Sequence, residues 1–142
     1  MLAGYHGVVS SDDDYNKIRE KYGDTTEPQS HLDALKSLGL KGSYLQDGDK
    51  GLLTTLIDLG KPVAVGWLHK GHILAPSGFG HWSVVVGYTD HHTVHHDPNG
   101  EVRLVTGGYT QNTNGEKLYY SWKNWLPRWE VNGNDGYMLY VN

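Results

Sequence analysis

Two short segments carry residues suited to acid–base chemistry. Gly80-His81-Trp82 opens the most hydrophobic run of the chain, Val84-Val85-Val86-Gly87-Tyr88. An imidazole at that mouth can face a cleft while the valines behind it hold the backbone rigid, a good seat for a general base. Asp97 follows the run Thr93-Val94-His95-His96 and is stiffened by Pro98. Two adjacent antiparallel strands would carry the Asp97 carboxylate to the His81 imidazole and fix its tautomer. On residue type alone, a His and an Asp at neighbouring strand ends serve structure more often than catalysis.

The remaining histidines form a second conspicuous group. His91-His92 and His95-His96 have imidazoles that suit zinc, copper or nickel, yet adjacent histidines in a strand point to opposite faces and do not share one ion easily. His91 or His92 with His95, and Asp90, could meet across a turn. No carboxylate or thiolate completes a known ligand spacing, so the favoured reading is a solvated hairpin with incidental histidines. His69 and His72 are read the same way. Asp12-Asp13-Asp14 lacks the Asp-x-Asp-x-Asp-Gly calcium pattern and suits the first turn of a helix instead. No metal and no cofactor is called for.

These residues need a scaffold, and the pattern of apolar positions outlines one. Residues 1–7 are apolar and small and end in Gly7, like the tail of a helix. Ser10, Ser11 and the three aspartates cap a short amphipathic helix through Tyr15, Ile18 and Tyr22, with Gly23 as its stop. Ser30 and Asp33 resemble a capping box ahead of Leu32, Leu35 and Leu38, and Leu52, Leu53, Leu56 and Leu59 repeat the helical spacing before Gly60 and Pro62. Helices thus fill the first sixty residues. Strands are expected at 63–68, 82–88, 93–96 and 137–141, and residues 121–129 suggest a helical turn interrupted by Pro127. Helices first and an antiparallel sheet afterwards predict an α+β domain. The loops 70–80 and 106–116 are Gly-rich and long for connections, which makes them candidate substrate-facing loops.

Composition bounds the rest. The 142 residues predict one domain, 1–142. A net charge of -4 with scattered Lys and Arg gives no electrostatic ground for nucleic acid, and no run is apolar enough for a membrane span. Five Trp and ten Tyr supply buried area, and Trp and Tyr of the last forty residues can stack on sugar rings, although core packing is their commoner use. The chain has no cysteine, which excludes disulfides, thiolate metal sites and a thiol nucleophile of its own.

Gly80-His81-Trp82, Val84-Val85-Val86-Gly87-Tyr88 and His96-Asp97-Pro98-Asn99-Gly100 together resemble the histidine and aspartate motifs of the bacteriocin-processing-peptidase-like (double-glycine leader peptidase-like) cysteine peptidases, a branch of the papain-like fold. Leu59-Gly60-Lys61-Pro62-Val63-Ala64-Val65 resembles the helix, turn and strand that precede the histidine there, and residues 125–141 resemble the closing segment. The resemblance implies a papain-like α+β fold with N-terminal helices on an antiparallel sheet. It also implies His81 as base and acid, with Asp97 orienting it. In that family a Cys-Gly-Pro-Thr/Ser-Ser-Leu-Ala-Met stretch opens the first helix, and residues 1–7 here match the part of the helix just after it. The nucleophile is therefore expected about seven residues before Met1, the chain being either a fragment truncated in its first helix or one that borrows the missing turn from a partner.

Two functions of different classes are compatible with these residues. The first is a peptidase-like domain whose substrate is a peptide or peptidoglycan amide, for which a secreted, periplasmic or virus-particle setting would fit. The alternative is a non-catalytic module that binds a peptide or glycan on the same fold.

Overall fold

The computed structural model describes residues 1–78 and 80–142; Phe79, in the first of the two Gly-rich loops, lies outside the described residues. The helices are α1 (Leu2–Tyr5), α2 (Asp12–Arg19), α3 (Pro28–Ser37), α4 (Lys50–Asp58) and α5 (Trp122–Trp129). The strands are β1 (Gly42–Gly48), β2 (Val63–Trp67), β3 (His81–Tyr88), β4 (His92–His96), β5 (Leu118–Ser121) and β6 (Gly136–Val141). They form one sheet in the order β1-β6-β2-β3-β4-β5, with antiparallel pairing throughout.

Local chemistry accounts for most helix ends. Ser11 caps α2 by accepting from Asp14 N–H at 3.1 Å, and the three aspartates lie in its first turn, where the helix dipole favours negative charge. Asp49 caps α4 through Leu52 N–H at 2.8 Å. The capping box expected at Ser30 is not formed. Helix α3 starts two residues earlier with Pro28 in its first turn, where no N–H is needed. Ser30 is buried inside that turn and donates its hydroxyl to the carbonyls of Asp24 and Glu27. The helix through Tyr15 also ends at Arg19, before Tyr22.

Three further expectations are corrected. Helices do not fill the first sixty residues, because Gly42–Gly48 forms edge strand β1 against β6. Its burial is mostly partial and shows no alternation, so no period-2 signal marked it. Leu118–Ser121 is β5, with Leu118 and Tyr120 buried and Tyr119 exposed between them. Pro127 does not interrupt the helical turn: α5 runs through it to Trp129. The carbonyl that Pro127 leaves without an intrahelical partner belongs to Lys123, an exposed residue in reach of water.

The sheet is buried on both faces. On one, Val84 of β3 and Leu139 and Val141 of β6 meet Leu2 and Ala3 of α1 and Leu35 of α3. On the other, Val63, Val65, Trp67, Val85 and Met138 meet Leu53 and Leu56 of α4 and Trp122, Trp125 and Trp129 of α5. N-terminal helices therefore cover both faces, α1 and α3 one and α4 the other. This alternation puts His81 on the α4–α5 face, because it pairs directly with Trp67.

Leu53 is fully buried in this second layer, whereas Leu74 is 88% exposed. Urea unfolding should show Leu53→Ala losing about 2–5 kcal/mol of stability, the range for a buried Leu cavity. Leu74→Ala should stay within about 0.5 kcal/mol of the parent.

Candidate active site

The β3–β4 hairpin brings the two candidate residues together. Tyr88 pairs with Thr93 and Val84 with His96, so the start of β3 and the end of β4 lie side by side. His81 and Asp97 are each 3% exposed, and His81 Nε2 lies 2.8 Å from Asp97 Oδ2. A carboxylate only accepts, so Nε2 carries the proton. Asp97 receives two more donors, Asn99 N–H on Oδ1 at 3.1 Å and the Tyr120 hydroxyl on Oδ2 at 3.4 Å. Tyr120 in turn accepts from Val102 N–H at 3.0 Å. Burial and the Asp97 charge push the Tyr120 phenol far above its usual range, which keeps it a donor.

The other face of the imidazole is also occupied. The Tyr109 hydroxyl lies 2.8 Å from His81 Nδ1 and 3.1 Å from Asn99 Nδ2. The amide nitrogen only donates, so the phenol accepts from Asn99 and turns its own proton to Nδ1. Burial, more than Asp97, raises the Tyr109 pKa, in keeping with a protonated phenol. Trp67 meets the His81 ring edge-on at 4.7 Å between centroids. His69 lies at the same 4.7 Å distance, tilted by 33°. His69 is buried, its Nδ1 has no hydrogen-bond partner among the described residues, and burial lowers its pKa. The solvated reading therefore fails for His69, which belongs to the cluster, whereas His72 is exposed.

Arg128 holds the loops that supply His69 and Tyr109. Its side chain is fully buried, and its guanidinium donates to the carbonyls of Leu68, Lys70, Gly71 and Leu104 at 2.7–3.1 Å. Gly108 N–H donates to the His69 carbonyl at 2.7 Å, and Ile73 N–H to that of Val105 at 2.8 Å. Gly107, at φ +85°, packs so closely on Gly71 that a Cβ would strike its backbone. The two Gly-rich loops are thus joined to each other. Gly115 lies against the Asp97 backbone with no room for a side chain, and its carbonyl accepts from Asp97 N–H at 2.8 Å.

A second buried chain of hydrogen bonds lies deeper in the same layer. Trp67 Nε1–H donates to Ser83 Oγ at 2.9 Å, and Ser83 Oγ meets His95 Nδ1 at 2.8 Å. His95 Nε2 meets Thr93 Oγ1 at 2.7 Å, and Thr93 donates to the Tyr120 carbonyl at 3.1 Å. An indole N–H cannot accept and a carbonyl cannot donate, so every proton is assigned: Ser83 donates to Nδ1, and Nε2–H donates to Thr93. A second proton on His95 Nδ1 would displace the proton that Ser83 donates there, and burial lowers the His95 pKa to about 3. His95 is therefore not the solvated, incidental side chain that its sequence neighbourhood suggests, and it has no free nitrogen for a metal. His96 points the other way, its Nδ1 accepting from Lys117 N–H at 3.1 Å. Among the described residues, no three His, Cys, Asp or Glu side chains converge as a metal site.

His81 and Asp97 were legible in the sequence; Tyr109, Tyr120, Asn99 and Arg128 were not. Asn99 lies inside the aspartate motif but had no role of its own there, and the length of loop 106–116 was the signal that pointed towards Tyr109.

No family model matches the sequence, and neither does any curated protein. Among solved structures, the chain is similar to one described as a C39-like peptidase from Bacillus anthracis, with a TM-score of 0.52 and 16% identity over 80% of this chain. The similar region spans 57% of that protein's length. The chain has an α+β papain-like fold of the C39-like peptidase kind. No helix among the described residues is long and apolar enough to cross a membrane.

The His95 chain generates a pH dependence. The unfolded histidine titrates near its ordinary 6.5, and the folded one near 3. Below 6.5 the unfolded state binds the extra proton, so this contribution to stability is complete above 6.5 and is lost as the pH falls towards 3. Gln supplies one acceptor and one donor but does not titrate. Denaturation of His95→Gln followed between these limits should show a shallower decline than the parent, by up to about 1.4 kcal/mol per pH unit.

Proposed function

We propose that this is a cysteine-peptidase-like domain in which His81 serves as general base and acid and Asp97 orients it, acting on a peptide or peptidoglycan amide. The observation that carries the reading is the buried 2.8 Å His81–Asp97 hydrogen bond at one end of the sheet. It fixes the Nε2–H tautomer and directs Nδ1 to the reacting side, as an imidazole base requires. The likeness to the C39-like structure supports the fold that such a site needs, and the catalytic assignment rests on the geometry.

The thiol has to come from outside these 142 residues, since they contain no cysteine. A path for it is open. Tyr5 at the end of α1 donates to the Gly60 carbonyl near the start of β2, so the front of α1 faces the opposite end of the sheet, where His81 lies. An apolar groove of about 300 Å³ runs from Met1 and Leu2 past Trp82 to Gly80 and Asn99. A helical segment of about seven residues ahead of α1 would advance roughly 10 Å along it. Its thiol would reach the imidazole over the end of the sheet, because α1 and His81 occupy different faces. This segment could be native sequence or part of a partner.

The alternative, a binding module for a peptide or glycan, draws support from the missing thiol and from the engagement of Nδ1 by Tyr109. The experiment that separates the two is hydrolysis of peptide and peptidoglycan substrates by a form carrying the upstream cysteine segment, beside its Cys→Ala and His81→Ala versions. The chain alone should show no iodoacetamide-sensitive turnover. The cysteine-bearing form should be active, lose about 10²–10⁴-fold on His81→Ala, and lose less on Asp97→Ala. Equal inactivity of all forms, with ligand binding retained, would replace the peptidase reading with the binding module.

A further inference from the structure

Tyr109 has no part in the general-base scheme, yet it occupies the ring nitrogen that the scheme requires. Its hydroxyl sits 2.8 Å from His81 Nδ1 and is oriented by Asn99 Nδ2 at 3.1 Å, while Asn99 N–H holds Asp97 Oδ1 at 3.1 Å. One asparagine therefore ties both neighbours of the imidazole. The Tyr109 backbone is fixed independently. It bridges Val102, the Arg103 guanidinium donates to its carbonyl, and the preceding residue, Gly108, is bonded to His69. The side chain, by contrast, is only partly buried. Rotation about its Cα–Cβ bond can carry the hydroxyl away without disturbing the loop.

We propose that Tyr109 is a positioning residue that caps the base. Its hydroxyl donates to Nδ1 and holds His81 as the Nε2–H tautomer with the Nδ1 lone pair covered. The phenol must turn aside before Nδ1 can take a proton from a nucleophile. The inference rests on the general-base reading of His81 for its significance, and its geometry stands apart from any thiol. His69, with its ring centroid 5.4 Å from Tyr109 and 4.7 Å from His81, is the neighbouring ring against which the phenol turns.

The test uses the 142-residue chain with ¹⁵N-labelled histidine. In the parent, His81 should show a protonated Nε2 and an Nδ1 resonance displaced by an accepted hydrogen bond. Diethyl pyrocarbonate should modify it slowly compared with exposed His72. In Tyr109→Phe the Nδ1 resonance should move to that of a free acceptor nitrogen while Nε2–H stays bonded to Asp97. Modification of His81 should accelerate by up to about tenfold, the factor carried by one net hydrogen bond. Tyr119→Phe, a surface control, should match the parent. An unmoved Nδ1 resonance in Tyr109→Phe overturns the proposal. So does acceleration in Tyr109→Ala without any in Tyr109→Phe, because the ring rather than the hydroxyl would then be the cover. Should His81→Ala leave the thiol-bearing form's hydrolysis intact, the general-base reading fails, and the Nδ1 measurement remains as found.

Discussion

The antiparallel pairing of β3 with β4 is the constraint on which the site depends. Tyr88 faces Thr93 across the turn and Val84 faces His96, with an irregularity between Val85 and Gly87 that absorbs one residue. That register leaves His81 at the open end of β3 and Asp97 just past the end of β4. A slip by one residue would turn every side chain of one strand to the opposite face, moving His81 away from Asp97 and His95 out of its cage. Apolar residues on both faces of the sheet, Val85 on one and Val84 on the other, oppose such a slip.

Around this hairpin the protein buries Ser83, Thr93, His95, Asp97 and Arg128, and among the described residues His69 Nδ1 and Trp125 Nε1 are the buried side-chain atoms of this layer left without a partner. Leaving a buried donor or acceptor unpaired costs about 1–3 kcal/mol, so the two chains through His81 and His95 form as units or not at all. The chains share Tyr120, whose hydroxyl serves Asp97 and whose carbonyl serves Thr93. Arg128 extends the same logic to the loops, since a buried guanidinium surrounded by carbonyls fixes the backbone of both at once. The groups that touch the imidazole therefore ride on loops with little freedom of backbone, and the partly buried phenol of Tyr109 is the adjustable contact.

The two sheet faces divide the work. The α4–α5 face holds the His81 imidazole against Trp67, His69 and Tyr109, and cages His95 between Trp67, Tyr120 and Trp125. The α1–α3 face carries the apolar groove that ends at Gly80 and Asn99, beside the same end of the sheet. On the proposed reading, a peptide or helix lying in that groove would meet His81 across the strand ends.

The sequence by itself determined the elements whose signals are local. These are the leucine spacings of α3 and α4, the valine-rich β2 and β3, and the lone histidine and aspartate at the mouths of two strands. It also determined that no thiol belongs to these residues. Only the tertiary structure decided what His69 and His95 do, since an imidazole in a loop and one in a strand look alike until their burial is known. The same holds for Tyr109 and Arg128, which are 28 and 60 residues distant in sequence from the groups they hold, His81 and Leu68. Edge strand β1 obeys this rule too: its partner β6 lies at the far end of the chain, and its mixed polarity has meaning only beside that partner. Hydrophobic period and capping are properties of neighbours along the chain. Hydrogen-bond satisfaction is a property of neighbours in space, and a single sequence does not carry it.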